Sequence, residues 1–311
     1  MPKAIDLAYV TYQATDLGLM EEFMHDFGLV TAERRNDLLF LRGADSAPFV
    51  HVTRLGSNSK FLGGGLRMAS RADLDELASM PGSSPVEKVE DWPGGGWRVR
   101  MIAPDGFIVD AVWGQKEVET LSHRPRNPVN WGDNKERVNA SLRPKREAGL
   151  VLRLGHFVLR VTNHAETLSW FQTRFGLLTS DVMCVPGDES KIIGTFVRFD
   201  RGSQPVDHHC LLINEASEIG VHHCSFEMQD IDAVMGAHDY LVSKGHKLDV
   251  GVGRHLIGSQ IFDYWRDPFG FRVEHYTDGD VANNNYKGLN YQVSAEDTTQ
   301  WGSDPTPDFF H

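Results

Sequence analysis

The sequence is short of several things, and each shortage closes off a class of protein. Its 311 residues contain only three cysteines, Cys184, Cys210 and Cys224. The count is odd and lacks the close spacing of a zinc motif. They read as reduced, mostly buried thiols of a cytoplasmic protein. No apolar run approaches the roughly 18–20 residues that cross a bilayer. The first residues, Met1-Pro-Lys-Ala-Ile-Asp6, are too polar for a secretory leader. Positive charge is also in deficit: 31 Lys and Arg against 43 Asp and Glu give a net charge of −12. That argues against nucleic acid and anionic membranes as partners and says little about a small substrate.

What is present is a globular composition, 41% hydrophobic, in a chain longer than one compact core usually holds, so two domains are expected. The chain also repeats itself. The stretch from Ala8 to Leu29 aligns without gaps to that from His156 to Leu177, so that Phe23 meets Phe171 and Phe27-Gly28-Leu29 meets Phe175-Gly176-Leu177. Each copy reads as a strand followed by an amphipathic helix that stops at a glycine cap. Later, Pro104-Asp-Gly-Phe-Ile-Val-Asp110 matches Pro268-Phe-Gly-Phe-Arg-Val-Glu274.

A finer period runs inside each half. Strand and helix start at His156 and again at His223, with a second helix over 230–243 carrying Ile231, Val234, His238 and Leu241 on one face. Strands are expected over 192–199, 208–213, 247–251, 260–265 and 271–276. The pattern is an α+β chain of four βαβββ modules, two in each of two domains. The boundaries read as an N-terminal domain over 1–114, a Pro- and Arg-rich linker over 115–149, a C-terminal domain over 150–281, and an irregular surface tail over 282–311.

Chemistry concentrates in the second half. Between Gly253 and Glu274 the sequence sets His255, Tyr264 and Glu274 nine and ten residues apart, with Pro268 and Gly270 between the last two. His156 and His223 each open an apolar run. Two histidines and one carboxylate on separate strands are what a facial-triad iron site needs. His222 should point to the opposite strand face from His223, because side chains alternate.

Together these residues resemble the type I extradiol ring-cleaving catechol dioxygenases of the vicinal-oxygen-chelate superfamily. The resemblance covers nearly the whole chain and is strongest over 154–278. It implies the glyoxalase/bleomycin-resistance/extradiol dioxygenase fold, with His156, His223 and Glu274 as ligands of Fe(II) and Mn(II) as the minority metal. It further implies His209, in the run Asp207-His-His-Cys-Leu-Leu-Ile213, as the acid/base histidine, His255 as a hydrogen-bond partner of the substrate oxygen, and Tyr264 as the group that positions it. The partners implied are a substituted catechol and O2, in a homo-oligomer such as a tetramer or octamer. Val158, two residues beyond His156, should line the cavity, with Phe226 and Trp265 as further wall candidates. Cys210 and Cys224 should face away into packing.

One residue departs from the pattern. Asp263 precedes Tyr264 where that family has an aliphatic or aromatic residue, and it is expected to alter the pocket wall. In the first half, Ala8, the run Gly63–Gly65, Arg100 and Asp110 stand where His156, His223, Tyr264 and Glu274 stand in the second, so that half should bind no metal. Two rival readings are a glyoxalase-like isomerase and a metal-free binding protein on the same fold. The substituent on the ring, among aryl, alkyl, carboxyl and hydroxyl, stays open.

Overall fold

The computed structural model describes residues 1–292, 294, 298–303, 305 and 309. The first half builds β1 (Ala4–Ala14), α1 (Leu17–Phe27), β2 (Val30–Arg34), β3 (Leu38–Arg42) and β4 (His51–Leu55). It then repeats the pattern as β5 (Lys60–Met68), α2 (Arg71–Ala78), β6 (Glu87–Lys88), β7 (Trp97–Ile102) and β8 (Ile108–Trp113). The second half begins with β9 (Arg153–Val161), α3 (His164–Phe175), β10 (Leu178–Val185), β11 (Asp188–Arg198), the short β12 (Val206–Asp207) and β13 (Leu211–Glu215). Its last module is β14 (Gly220–Glu227), α4 (Ile231–Ser243), β15 (Lys247–His255), β16 (Ile261–Arg266) and β17 (Arg272–Thr277). The βαβββ unit therefore occurs four times.

Local chemistry explains the helix limits. Asp16, Asn163 and Asp230 cap α1, α3 and α4 by accepting hydrogen bonds from first-turn backbone amides. Gly28 and Gly176 end α1 and α3 at positive φ, 110° and 65°, where a side chain would be strained. On α4 the buried residues are Val234, Ala237 and Leu241. Ile231 is exposed at the helix start and is not part of that face.

Each half forms one large sheet, with β12 of the second half outside it. The first orders its strands β2-β3-β4-β1-β5-β8-β7-β6. The second orders β10-β11-β13-β9-β14-β17-β16-β15 in its interior, so the first strands of both modules, β9 and β14, lie antiparallel at its centre. The two halves share one apolar core, from Phe23 and Phe27 through Phe157 to Phe226 and Trp265. Polar contacts sew it together: Tyr12 Oη donates to Cys224 Sγ at 2.9 Å, and His275 Nε2 lies 2.6 Å from the Phe27 carbonyl. Cys210 packs in the same core. Residues 115–149 hold no helix or strand and are fastened to the start of α4 through Arg124–Asp230 and Asn127–Asp232.

The tail departs from the sequence expectation. It forms β18 (Val281–Ala282), β19 (Asn290–Gln292) and β20 (Thr299–Gly302). β19 extends the second sheet at β10 and β20 extends it at β15, so the tail supplies both outer strands. An open strand edge offers unpaired amides and carbonyls, and these segments take them up. Among the described residues no helix is long and apolar enough to cross a membrane.

Candidate metal centre and its cavity

Strand register assembles the site. Across the centre of the second sheet, His156 on β9 faces Ser225 on β14, Ser225 faces Glu274 on β17, Glu274 faces Tyr264 on β16, and Tyr264 faces Val250 on β15. This row crosses five neighbouring strands. His223 sits two residues from Ser225, on the same side of β14 by alternation.

The side chains converge. His156 Nε2 and His223 Nε2 are 3.2 Å apart, and Glu274 Oε2 lies 3.2 Å from the first and 3.4 Å from the second. All three residues are buried. Neither Glu274 oxygen receives a well-directed hydrogen bond, although the carboxylate is fully buried. Burial opposes its ionisation, but the imidazoles of His156, His255 and His223 outweigh that and hold its pKa well below the usual carboxylate range. Burial likewise holds the His223 imidazole well below its ordinary pKa, which keeps it neutral. Two imidazoles and an ionised carboxylate, aimed at one another with no better partner, fit a divalent cation.

Further groups surround this cluster. His255 Nε2 lies 2.7 Å from Tyr264 Oη and 3.5 Å from Glu274 Oε1. Burial, then the charge of Glu274, pushes the Tyr264 phenol well above its usual pKa, so it stays protonated. The His209 ring is centred 4.2 Å from that of His156, and burial keeps its pKa well below normal. Behind it, His208 Nδ1 is 3.1 Å from His209 Nδ1, and His208 Nε2 is 2.8 Å from Asp181 Oδ2. Asp181 also accepts hydrogen bonds from Tyr286 Oη and the Leu289 amide, so the tail is fastened to the support of His209.

A cavity of about 370 Å³ opens over these groups. His156, His209, His223, His255, Tyr264 and Val158 all line it. Phe226 and Trp265 do not. Both are fully buried in the core shared by the two halves: Phe226 against Phe27, and Trp265 against His238. Position parity is the reason. Phe226 is three residues from His223 and Trp265 is one from Tyr264, so each falls on the other strand face. Asp263 falls there too, bonded to His238 Nδ1 and Trp265 Nε1, and touches no pocket wall.

Two groups escaped the sequence reading. His222 lines the cavity and does not face away from it. The β9–β14 register slips at this point, with Val221 opposite Leu159 and His223 opposite Val158. That bulge inserts one residue and breaks the alternation. His222 Nδ1 comes within 2.7 Å of His223 Nδ1, and its Nε2 within 2.6 Å of the Phe309 carbonyl. Phe309 itself lines the cavity. No local pattern marks a tail aromatic as part of a site some 87 residues earlier in the chain.

Comparison with known proteins agrees with this architecture. Residues 153–275 match the model of the Glyoxalase/Bleomycin resistance protein/Dioxygenase superfamily. Over nearly its whole length the chain resembles two curated proteins. It is 26% identical over 302 residues to Metapyrocatechase 2 of Cupriavidus necator, covering 96% of this chain and 88% of that one. It is 25% identical over 293 residues to an iron-dependent extradiol dioxygenase of Rhodococcus jostii (strain RHA1), covering 88% and 89%. The solved structure of the Mn(II)-bound glyoxalase from Novosphingobium aromaticivorans shares the fold, with a TM-score of 0.80 at 21% identity over 99% of this chain and 94% of that one.

Proposed function

We propose that this protein is an Fe(II)-dependent extradiol dioxygenase that opens the ring of a substituted catechol, with His156, His223 and Glu274 holding the metal. One observation carries the reading: the His156 and His223 imidazoles line a cavity with His209, His255 and Tyr264, and the buried Glu274 carboxylate lies within reach of both. The names of the two full-length relatives support iron and extradiol cleavage. A glyoxalase-like isomerase also needs a metal on this fold, but it has no need for the His255–Tyr264 pair.

Bound Fe(II) would offer adjacent open positions to the diol and to O2, and a path for electrons between them. The protein does the rest. A ligating Nε2 on His223 places the ring proton on Nδ1, where His222 Nδ1 accepts it. The protonated Tyr264 hydroxyl and His255 Nε2 hold one diol oxygen in place. Neutral His209 takes a catechol proton and returns it when the ring opens, with Asp181 and His208 fixing its ring. The apolar cavity walls exclude water. Assembly into a homo-oligomer is part of the proposal, and light scattering at several concentrations tests it.

The direct test is anaerobic reconstitution with Fe(II), followed by metal analysis and O2 uptake with catechols. Equimolar O2 and catechol consumption with a yellow product is the expected result. Bound iron without uptake on any diol would overturn the assignment in favour of an isomerase.

A further inference from the structure

The next step rests on the extradiol reading and concerns what the catechol carries. The cavity has two apolar walls. Phe196 and Ile257, with Met183, Leu212 and Tyr291, form one cluster; Val250, Phe262, Tyr264 and Phe309 form the other. Among its described lining residues there is no lysine and no arginine, while the Glu215 carboxylate lines it.

The nearby cations are committed elsewhere. Arg272 sits behind His222 and Phe309, 2.7 Å from His222 Nε2; it is tied to Asp249 and lines a second cavity with Lys60, Arg160, Arg266 and the other side of His222. Arg254 turns away from His255 to Asp278 and the Ser259 carbonyl. The tail adds one cation, the exposed Lys287, which is not among the described lining residues of the cavity. From Gly288 to His311 the sequence has no lysine or arginine, but it does contain Glu296, Asp297, Asp304 and Asp308.

A ring carboxylate would therefore enter a largely apolar cavity with no lysine or arginine among its described lining residues, and a poorly paired charge in such a space is strongly disfavoured. An alkyl substituent gains about fourfold in affinity for each methylene it buries. The cavity volume is at the low end of the roughly 300–1,000 Å³ of small-molecule sites, which suits one ring with a short substituent. We infer that the substrate is a single-ring catechol bearing a short, uncharged, apolar substituent, and that the site discriminates against carboxylated catechols.

The experiment compares kcat/KM, and anaerobic binding to the Fe(II) enzyme by calorimetry, for 4-methylcatechol, 4-ethylcatechol, 3,4-dihydroxyphenylacetate and the methyl ester of that acid. The alkylcatechols and the ester should exceed the acid at least about 100-fold, with the difference visible in binding. Equal or better use of the acid would overturn the inference. Rejection of the ester along with the acid would show that size, not charge, sets the preference, and would overturn it as well. No turnover of any of the four by iron-loaded protein would instead count against the extradiol reading.

Discussion

Asp110 and Glu274 occupy the same position in two copies of one module, and they are neutralised in opposite ways. Each lies on the last strand of its half, beside the strand that opens the module: Asp110 opposite Gly65, Glu274 opposite Ser225. On the other side Asp110 faces Arg100, whereas Glu274 faces Tyr264. Arg100 grips Asp110 through two bonds of 2.8 Å, and Tyr9 adds a third. Gly64 stands opposite Val10 where His223 stands opposite Val158. One copy holds its carboxylate with a guanidinium; the other leaves it to two imidazoles.

That contrast makes the two carboxylates separable by mutation. Asp110→Ala strands Arg100 and Tyr9 and should cost about 3 kcal/mol of stability, seen as a lower Tm by calorimetry, while metal content stays unchanged. A variant that lost metal in proportion to Tm would contradict this division of labour.

Metal should stabilise the fold through the second copy alone. At 100 times its Kd, Fe(II) or Mn(II) should raise stability by about 2.7 kcal/mol, and a chelator should reverse it. Glu274→Gln and His156→Ala should abolish that metal-dependent rise. A full rise in either variant would place the metal elsewhere.

Tyr264→Phe removes one hydroxyl from a fully buried ring. Metal content should be intact and kcat should fall on the order of 100-fold. Loss of iron in this variant would mean that Tyr264 supports the ligands, not the substrate.

Asp267 gives the fold a pH dependence. Burial raises its pKa from 3.8 to about 7, against the amides of Phe269 and Phe271 that bond it. Its Oδ2 is buried without a partner. The folded state holds this proton more tightly than the unfolded one, so the contribution is full below about pH 4 and is lost as pH rises through about 7. Asp267→Asn should remove this component, on the order of 4 kcal/mol, from a plot of stability against pH. An unchanged slope between pH 4 and 7 would contradict it.

Much of this was legible in the sequence because it obeys period and parity. The four modules follow from the internal repeat, and Gly28 and Gly176 mark the ends of α1 and α3. Val158 was placed by counting two residues from His156. The same count, applied to Phe226 and Trp265, puts them in the core, where they are found. His222 was not legible, since a bulge leaves no compositional mark and reverses parity at one residue. The tail was not legible either. β19 and β20 are short and polar, and they form only because β10 and β15 offer open edges far away in the chain. Asp263 reads as a pocket residue until its partners, His238 on α4 and Trp265, are known.

The role proposed for His156, His223 and Glu274 is to hold the iron that supports insertion of O2 into a catechol ring. Turnover of 4-methylcatechol by the Fe(II)-loaded protein under ¹⁸O2, with the product analysed by mass spectrometry, tests it most directly. A ring-opened product that gains the mass of O2 and carries the label in its new carboxylate is the expected result. An unlabelled product, or one isomeric with its substrate, would contradict it.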